Sequence, residues 1–298
     1  MVLAKSTMRT VVIFSFSRAR LLHECIESIL EANSASEWKK VLVWQQGKPD
    51  VEKIVMSYMN SFDLVLVTNG KEATPLGNIN FNRILGTDVA FRLFQSQLVL
   101  GIEEDNLIAR DALDFCTYAF EKYKSHPYFR GINLGSVERF DPELSKSYSH
   151  IRYATVSQAS AITRRTWDKL PLVPLMRNID AEGWDSRFER VTKTGFMVTP
   201  NNSRSLDRGW GGTHAPDDPN HESYVKQRAS FVGAHETALD EWHRQQIKHY
   251  WREDAIRFRY RDQVFFRIRF SRFGDSLAKI LKTVIKKSLF EKFIVGDR

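Results

Sequence analysis

Only two cysteines occur in the 298 residues, Cys25 and Cys116. They share no CxxC or other ligand spacing, so neither a disulfide framework nor a cysteine metal site can be built from them. Both fall in helix-patterned stretches and read as reduced, buried small hydrophobes, which suits a reducing compartment. No apolar run approaches the roughly 20 residues needed to cross a bilayer. The first run, Val11 to Phe16, is only about half a signal-peptide core in length and is broken by Ser15, Ser17 and Arg18, so it reads as a first β-strand. Low-complexity tracts and repeats at solenoid or propeller periods are missing too. With 42% apolar residues the chain can bury a sizeable core. The expectation is a soluble or peripheral, cytoplasmic protein with one large α/β domain and an appendage.

Charge is short of balance at one end only. Residues 252–298 hold 13 Lys and Arg against 6 Asp and Glu, while the rest of the chain holds 31 against 30. A neutral body argues against nucleic-acid binding by the main domain, and a basic tail argues for a segment that meets something anionic. In that tail Leu277, Ile280, Leu281, Val284 and Ile285 repeat at helical spacing, with Lys279, Lys282 and Lys286 on the other side. This is an interfacial-helix pattern, suited to the inner face of a membrane. The same stripe would equally serve to dock on the body or to form a homo-oligomer contact, and oligonucleotide binding by the Arg and aromatic residues of the tail is a further alternative.

The first 125 residues alternate strand and helix patterns, the sequence form of βαβ units. Strands are expected at Thr10 to Phe16, Val41 to Trp44, Leu64 to Val67 and Gln97 to Ile102. Between them lie a helix carrying Leu22, Cys25, Ile26, Ile29 and Leu30 on one face, a helix N-capped by Asp50, and a helix around Phe81, Ile84, Leu85 and Val89. The fourth strand runs directly into Glu103-Glu104-Asp105. Ligands bind open α/β sheets beyond the carboxyl ends of the strands, so three acids there face the expected cleft. Adjacent carboxylates repel one another unless they are solvated or sit beside a cation. Oxygen ligands of this kind suit Mg²⁺ or Mn²⁺ bound together with substrate phosphates; the alternative is a solvated acidic loop.

These features, with Ser17-Arg18 at the start of the first helix, resemble the GT-A glycosyltransferases, and in particular the inverting N-acetylglucosaminyltransferase that begins complex N-glycans, its relatives, and the family 2-like nucleotide-sugar transferases. The second half carries the resemblance further: Gly183-Trp184-Asp185 is similar to the Trp-Asp element of that family. Pro200, Ser203-Arg204-Ser205, Gly209, Gly212 and His214 follow in the family's order. The resemblance spans about Thr10 to His214. It implies a GT-A domain over 1–250, with a nucleotide-sugar half over about 1–125, an acceptor half over about 126–250 and a basic extension over 251–298. It further implies that Asp105 holds the metal, that Glu103 and Glu104 lie near the ribose and donor sugar, that Arg18 approaches the diphosphate, and that Asp185 is the general base. His214 would touch the diphosphate or metal, and Asn82 and Arg83, with Asn78 and Asn80, would approach the donor.

This chain also departs from the family. Gln46 stands where an Asp is expected to pair with uracil, and an amide has different donor and acceptor roles. A UDP-sugar is still the first choice of donor, and a glycan or lipid-linked hydroxyl the expected acceptor. Ser186 and Arg187 replace the second acid and following Trp, and Asp180 and Glu182 are rival bases. Trp184 offers a flat face to a sugar or is plain core. A nucleotidyltransferase would show a Gly-rich phosphate loop after the first strand, whereas that turn here is Ser15-Phe16-Ser17-Arg18. A non-catalytic carbohydrate- or nucleotide-binding homologue is the other alternative.

Overall fold

A computed structural model describes residues 8–69, 74–136, 147–151, 159–181, 183–192 and 194–209, together with residues 220, 231, 252 and 253. The chain divides into two units, Met1–Arg252 and Glu253–Arg298, and of the second only Glu253 is among the described residues. The tail pattern between residues 257 and 298 therefore lies outside them.

Strand β1 (Arg9–Ser15) is buried along its whole length, as a strand sandwiched between helices must be. Helix α1 (Ala19–Leu30) buries Leu22, Cys25, Ile26 and Ile29 at the expected 3.6-residue spacing. Then come β2 (Lys39–Gln45), α2 (Pro49–Tyr58), β3 (Leu64–Thr68), α3 (Pro75–Arg92) and β4 (Leu98–Glu103). Asp50 is not the N-cap of α2: Pro49 enters the helix ahead of it, because a ring that fixes φ and lacks an N–H suits the first helical position. Asp50 instead lies in the first turn, favourably placed on the helix dipole.

The second half adds β5 (Asn106–Ile108), α4 (Ala112–Tyr123), β6 (Phe129–Asn133), β7 (Ser147–Ile151) and β8 (Ala159–Thr163). After these come α5 (Arg164–Trp167), α6 (Leu172–Arg177), α7 (Trp184–Thr192), β9 (Phe196–Pro200) and β10 (Ser205–Asp207). The main sheet carries eight of these strands in the order β7-β9-β6-β8-β4-β1-β2-β3. The half made of β4, β1, β2 and β3 is wholly parallel, while β8 joins β4 and β6 antiparallel.

Parallel register matters for the site because it lines up the carboxyl ends. Ser15 pairs with Trp44, Gln45 with Thr68, and Phe14 with Glu103, so the four strands release their chains along one edge. Helix α3 covers the face bearing Val12, Phe14, Val41 and Val43. It comes close enough that a Cβ on Gly86 would lie 2.5 Å from Val43 Cγ2 and 2.9 Å from Val12 Cγ1. Each fully buried aliphatic side chain here contributes about 1.5–3 kcal/mol. Both cysteines are free and buried. Among the described residues no helix is long and apolar enough to cross a membrane.

Candidate active site

The acidic triplet begins inside a strand. Glu103 is the last residue of β4, and its carboxylate accepts from Arg83 Nη2 at 2.6 Å. Arg83 is 4% exposed and is held between two rings, with its guanidinium carbon 4.3 Å from the centroid of Phe14 and 4.0 Å from that of Trp184. A planar, delocalised cation can stack on both sides at once in a way an ammonium cannot. One face of Trp184 is therefore taken by Arg83, and Phe188 packs edge-on to the same ring. The Arg83 guanidinium also feels the charges of Asp105 and Asp185, so it links the triplet to α7.

Glu104 turns back toward β1. Its carboxylate accepts from the backbone N–H of Phe16 at 2.6 Å, of Ser17 at 2.9 Å and of Arg18 at 3.1 Å. Asp105 points the other way, onto the Arg18 side chain, with Nη1 to Oδ2 at 2.5 Å, while its Oδ1 accepts from Asn106. Burial, together with the like charges of Glu103, Asp207 and Glu104, pushes the Asp105 carboxyl up to about 7 against the lowering influence of Arg18. Cys25 lies beneath the triplet, its thiol near the Glu103 carbonyl at 3.7 Å; burial first, then Asp105 and Glu104, keep it protonated.

Asp207 was not among the residues the sequence singled out. It ends β10, which pairs antiparallel with β5 so that Asp207 faces Asn106. Its Oδ1 accepts from Gly209 N at 2.7 Å, and a Cβ on Gly209 would lie 2.5 Å from Asp105 Oδ2 and 2.9 Å from Asp207 Oδ1. The Gly209 carbonyl in turn meets Arg18 Nη2 at 3.5 Å. The only signal in the sequence was the position of Asp207 between Arg204 and Gly209 of the family-like stretch. Phe16, directly beyond β1 and beside the end of β2, is 42% exposed.

The remaining expected residues divide between edge and interior. Gln46 lies just past β2 with an exposed side chain, and its backbone N–H is tied to Thr68 at 2.8 Å. Asn82 faces inward and donates to Gln45 Oε1 at 3.1 Å, so its amide is engaged within the protein. Asn80 donates to the Ile179 carbonyl at 2.5 Å, and Asp180 accepts from Thr74, the N-cap of α3. Asp185 sits exposed in the first turn of α7. Arg204 of the Ser-Arg-Ser run is wholly buried, with Nε and Nη2 each 3.2 Å from the Asp111 carboxylate, a structural pairing. Asn78 lies in the first turn of α3, its N–H bonded to the Thr74 carbonyl at 3.0 Å, and Glu182 and His214 lie outside the described residues. The structure thus brings Arg18, Arg83, Glu103, Glu104, Asp105 and Asp207 together.

Among the described residues no three of His, Cys, Asp and Glu converge to hold a metal unaided. The set at Asp105 nonetheless fits a divalent cation in its chemistry: hard carboxylate oxygens, with Glu103, Asp207 and Glu104 adding like charge around a buried carboxyl.

The mixed α/β architecture, with a large parallel-dominated sheet, is that of a Rossmann-like fold. The chain is similar to residues 1–349 of S. aureus TarS in complex with UDP, at TM-score 0.50 and 14% identity over 96% of this chain and 77% of that one. The same fragment in complex with UDP-GlcNAc gives TM-score 0.48 and 14% identity over 96% and 78% of the two chains. The mannosyltransferase PcManGT from Pyrobaculum calidifontis, in complex with GDP-Man and Mn²⁺, gives TM-score 0.44 and 12% identity over 94% and 88%. No protein-family model matches the sequence, and no curated protein does.

Proposed function

We propose that this chain is a metal-dependent glycosyltransferase of the GT-A kind. It transfers a hexosyl or N-acetylhexosaminyl group from a nucleotide diphosphate to a hydroxyl of a glycan or lipid-linked acceptor, with inversion at the anomeric carbon. The observation that carries this reading is the Arg18–Asp105 pair at the carboxyl edge of four parallel strands, walled by Glu103 and Asp207. Asp105 would hold a divalent cation, Mn²⁺ or Mg²⁺, which would supply positive charge to offset the negative charge developing on the departing diphosphate.

The protein's own groups do the rest. Arg18, held on the Asp105 carboxylate, supplies a fixed positive charge beside the leaving group. Phe16 and Gln46, neighbouring and exposed at the ends of β1 and β2, offer a stacking face and a hydrogen-bonding edge for the nucleobase, with a uracil the first candidate. Asp185, in the first turn of α7, takes the proton from the acceptor hydroxyl as its oxygen attacks the sugar. The stacked Arg83 holds α7 to β4, and so keeps base and donor site in one frame.

Calorimetry of UDP- and GDP-sugars with and without Mn²⁺ tests this directly, with turnover followed as nucleotide release. Binding is expected only with the metal, and Asp105→Ala should abolish it without unfolding the chain. Asp185→Asn should keep donor affinity and lower turnover by on the order of 10² or more. Mn²⁺-dependent binding undiminished in Asp105→Ala would remove Asp105 from the metal site. Wild-type turnover in Asp185→Asn would move the base elsewhere, with Glu182 the next choice.

A further inference from the structure

The first N–H groups of a helix have no acceptor within the helix, and the pole they create is a natural seat for a phosphate. At α1 an internal carboxylate takes the N–H of the N-cap residue, Arg18, together with those of the two residues before it. Arg18 gives α1 no side-chain cap, and instead three successive N–H groups, from Phe16, Ser17 and Arg18, converge on the Glu104 carboxylate at 2.6, 2.9 and 3.1 Å. Both oxygens are used, the residue is 6% exposed, and its own N–H is tied to the Phe14 carbonyl at 3.0 Å. Charge-assisted bonds of this kind are about twice as strong as neutral ones.

We infer that Glu104 is a positioning residue that does not touch the donor: it is an internal anion that locks the β1–α1 turn and thereby aims Arg18 at Asp105. This rests on the donor site proposed above and departs from the role the family resemblance gives the middle acid. Two consequences follow from the geometry. With the N–H groups of Phe16, Ser17 and Arg18 engaged by Glu104, the β1–α1 turn offers none of these three to the donor's diphosphate. Because the backbone of Arg18 is fixed by the residue next to Asp105, guanidinium and carboxylate are held as one unit before any ligand arrives.

The test uses the full-length chain and three readouts. In Glu104→Ala, amide exchange at Phe16, Ser17 and Arg18 should quicken by about 10- to 100-fold, with a smaller change in Glu104→Gln, which keeps the size and one carbonyl acceptor. With Mn²⁺, UDP-sugars that differ only in the sugar should all weaken by the same factor in Glu104→Ala, because no sugar contact is lost. The double variant Arg18→Ala/Glu104→Ala should bind the donor no more weakly than Arg18→Ala alone, since a residue that acts through Arg18 adds nothing once Arg18 is gone. Unchanged exchange, an altered preference among the sugars, or additive losses in the double variant would each overturn the inference. If Glu104→Ala does not fold, Glu104→Gln carries the same three measurements. The exchange readout needs no nucleotide, so a wild-type chain that binds no nucleotide sugar would defeat the proposed function while leaving the clamp measurable.

Discussion

Replacing Arg83 by alanine should destabilise the protein more than any other single change at the site's surface. The side chain is 4% exposed and satisfies Glu103, whose own side chain is 29% exposed. Removing it strands a carboxylate that water reaches only in part, leaves a hole between Phe14 and Trp184, and forfeits two stacked cation–ring contacts. Breaking a buried pair by deleting one partner costs about 3–5 kcal/mol, and each desolvated cation–π contact about 1–2 of that order. Partial solvation of Glu103 trims the total, so about 3–4 kcal/mol is expected, or roughly 10 °C in melting temperature for a domain of this size. Arg83→Lys keeps the charge but cannot stack on both rings, and should recover only about half the loss. Adding Glu103→Gln to Arg83→Ala should regain about 1 kcal/mol, because no lone carboxylate then remains. Scanning calorimetry of the four proteins checks these values. A melting shift under 2 °C in Arg83→Ala would refute the claim that the sandwich holds α7 to β4.

Three other changes probe different links. Gly209→Ala places a methyl 2.5 Å from Asp105 Oδ2, so Mn²⁺-dependent donor binding should fall by at least about tenfold, checked by titration; binding within twofold of wild type would mean that the loop yields freely. In the metal-free protein the Asp105 carboxyl titrates near 7, above its unfolded value. Its contribution to stability is then complete below about pH 4 and is lost as pH rises through 7, while Mn²⁺, which needs the carboxylate, should bind more tightly from pH 6 to pH 8 and release protons at the lower end. A Mn²⁺ affinity flat across that range would contradict the shift. Ending the chain near Trp251 should abolish sedimentation with anionic liposomes at low salt while sparing donor turnover if the tail is an anchor, and should lower the melting temperature sharply if it is a packing element.

The first half of the fold was legible because its signals are local. Runs such as Arg9–Ser15 and helical spacing such as Leu22, Cys25, Ile26 and Ile29 carry their own periodicity. Strands β6 to β9 were not foreseen, since each is five residues long and is defined by partners far away, as β8 is by its antiparallel pairing with β4. Helix α3 shows the same limit in another form. Its spacing suggested an apolar stripe with Asn82 and Arg83 as donor contacts or solvated residues, yet both are buried, one on Gln45 and the other between rings. A polar side chain that finds its partner across the fold looks, in sequence, like one that faces water. At the site, the triplet and Arg18 were recognisable, but the division of labour within Glu103-Glu104-Asp105 was not. Alternating side-chain direction at a strand end sends neighbouring carboxylates to different partners. Asp207 enters only through the pairing of two short strands.

The bond from Phe16 to Glu104 spans 88 residues, and β1 takes β4 as its second neighbour over almost the same gap. During synthesis β1 therefore emerges long before the strand that completes it. Until then it can pair only with β2, and its other edge, apolar on both faces, is open to any extended chain nearby. The proposed donor site cannot form piecemeal: Arg18 has no lock, and its turn no anion, until the whole parallel half has closed. Such long-range closure makes for slow folding. A nascent or truncated chain that stops short of Leu98 is thus a bare sheet edge rather than a smaller working domain.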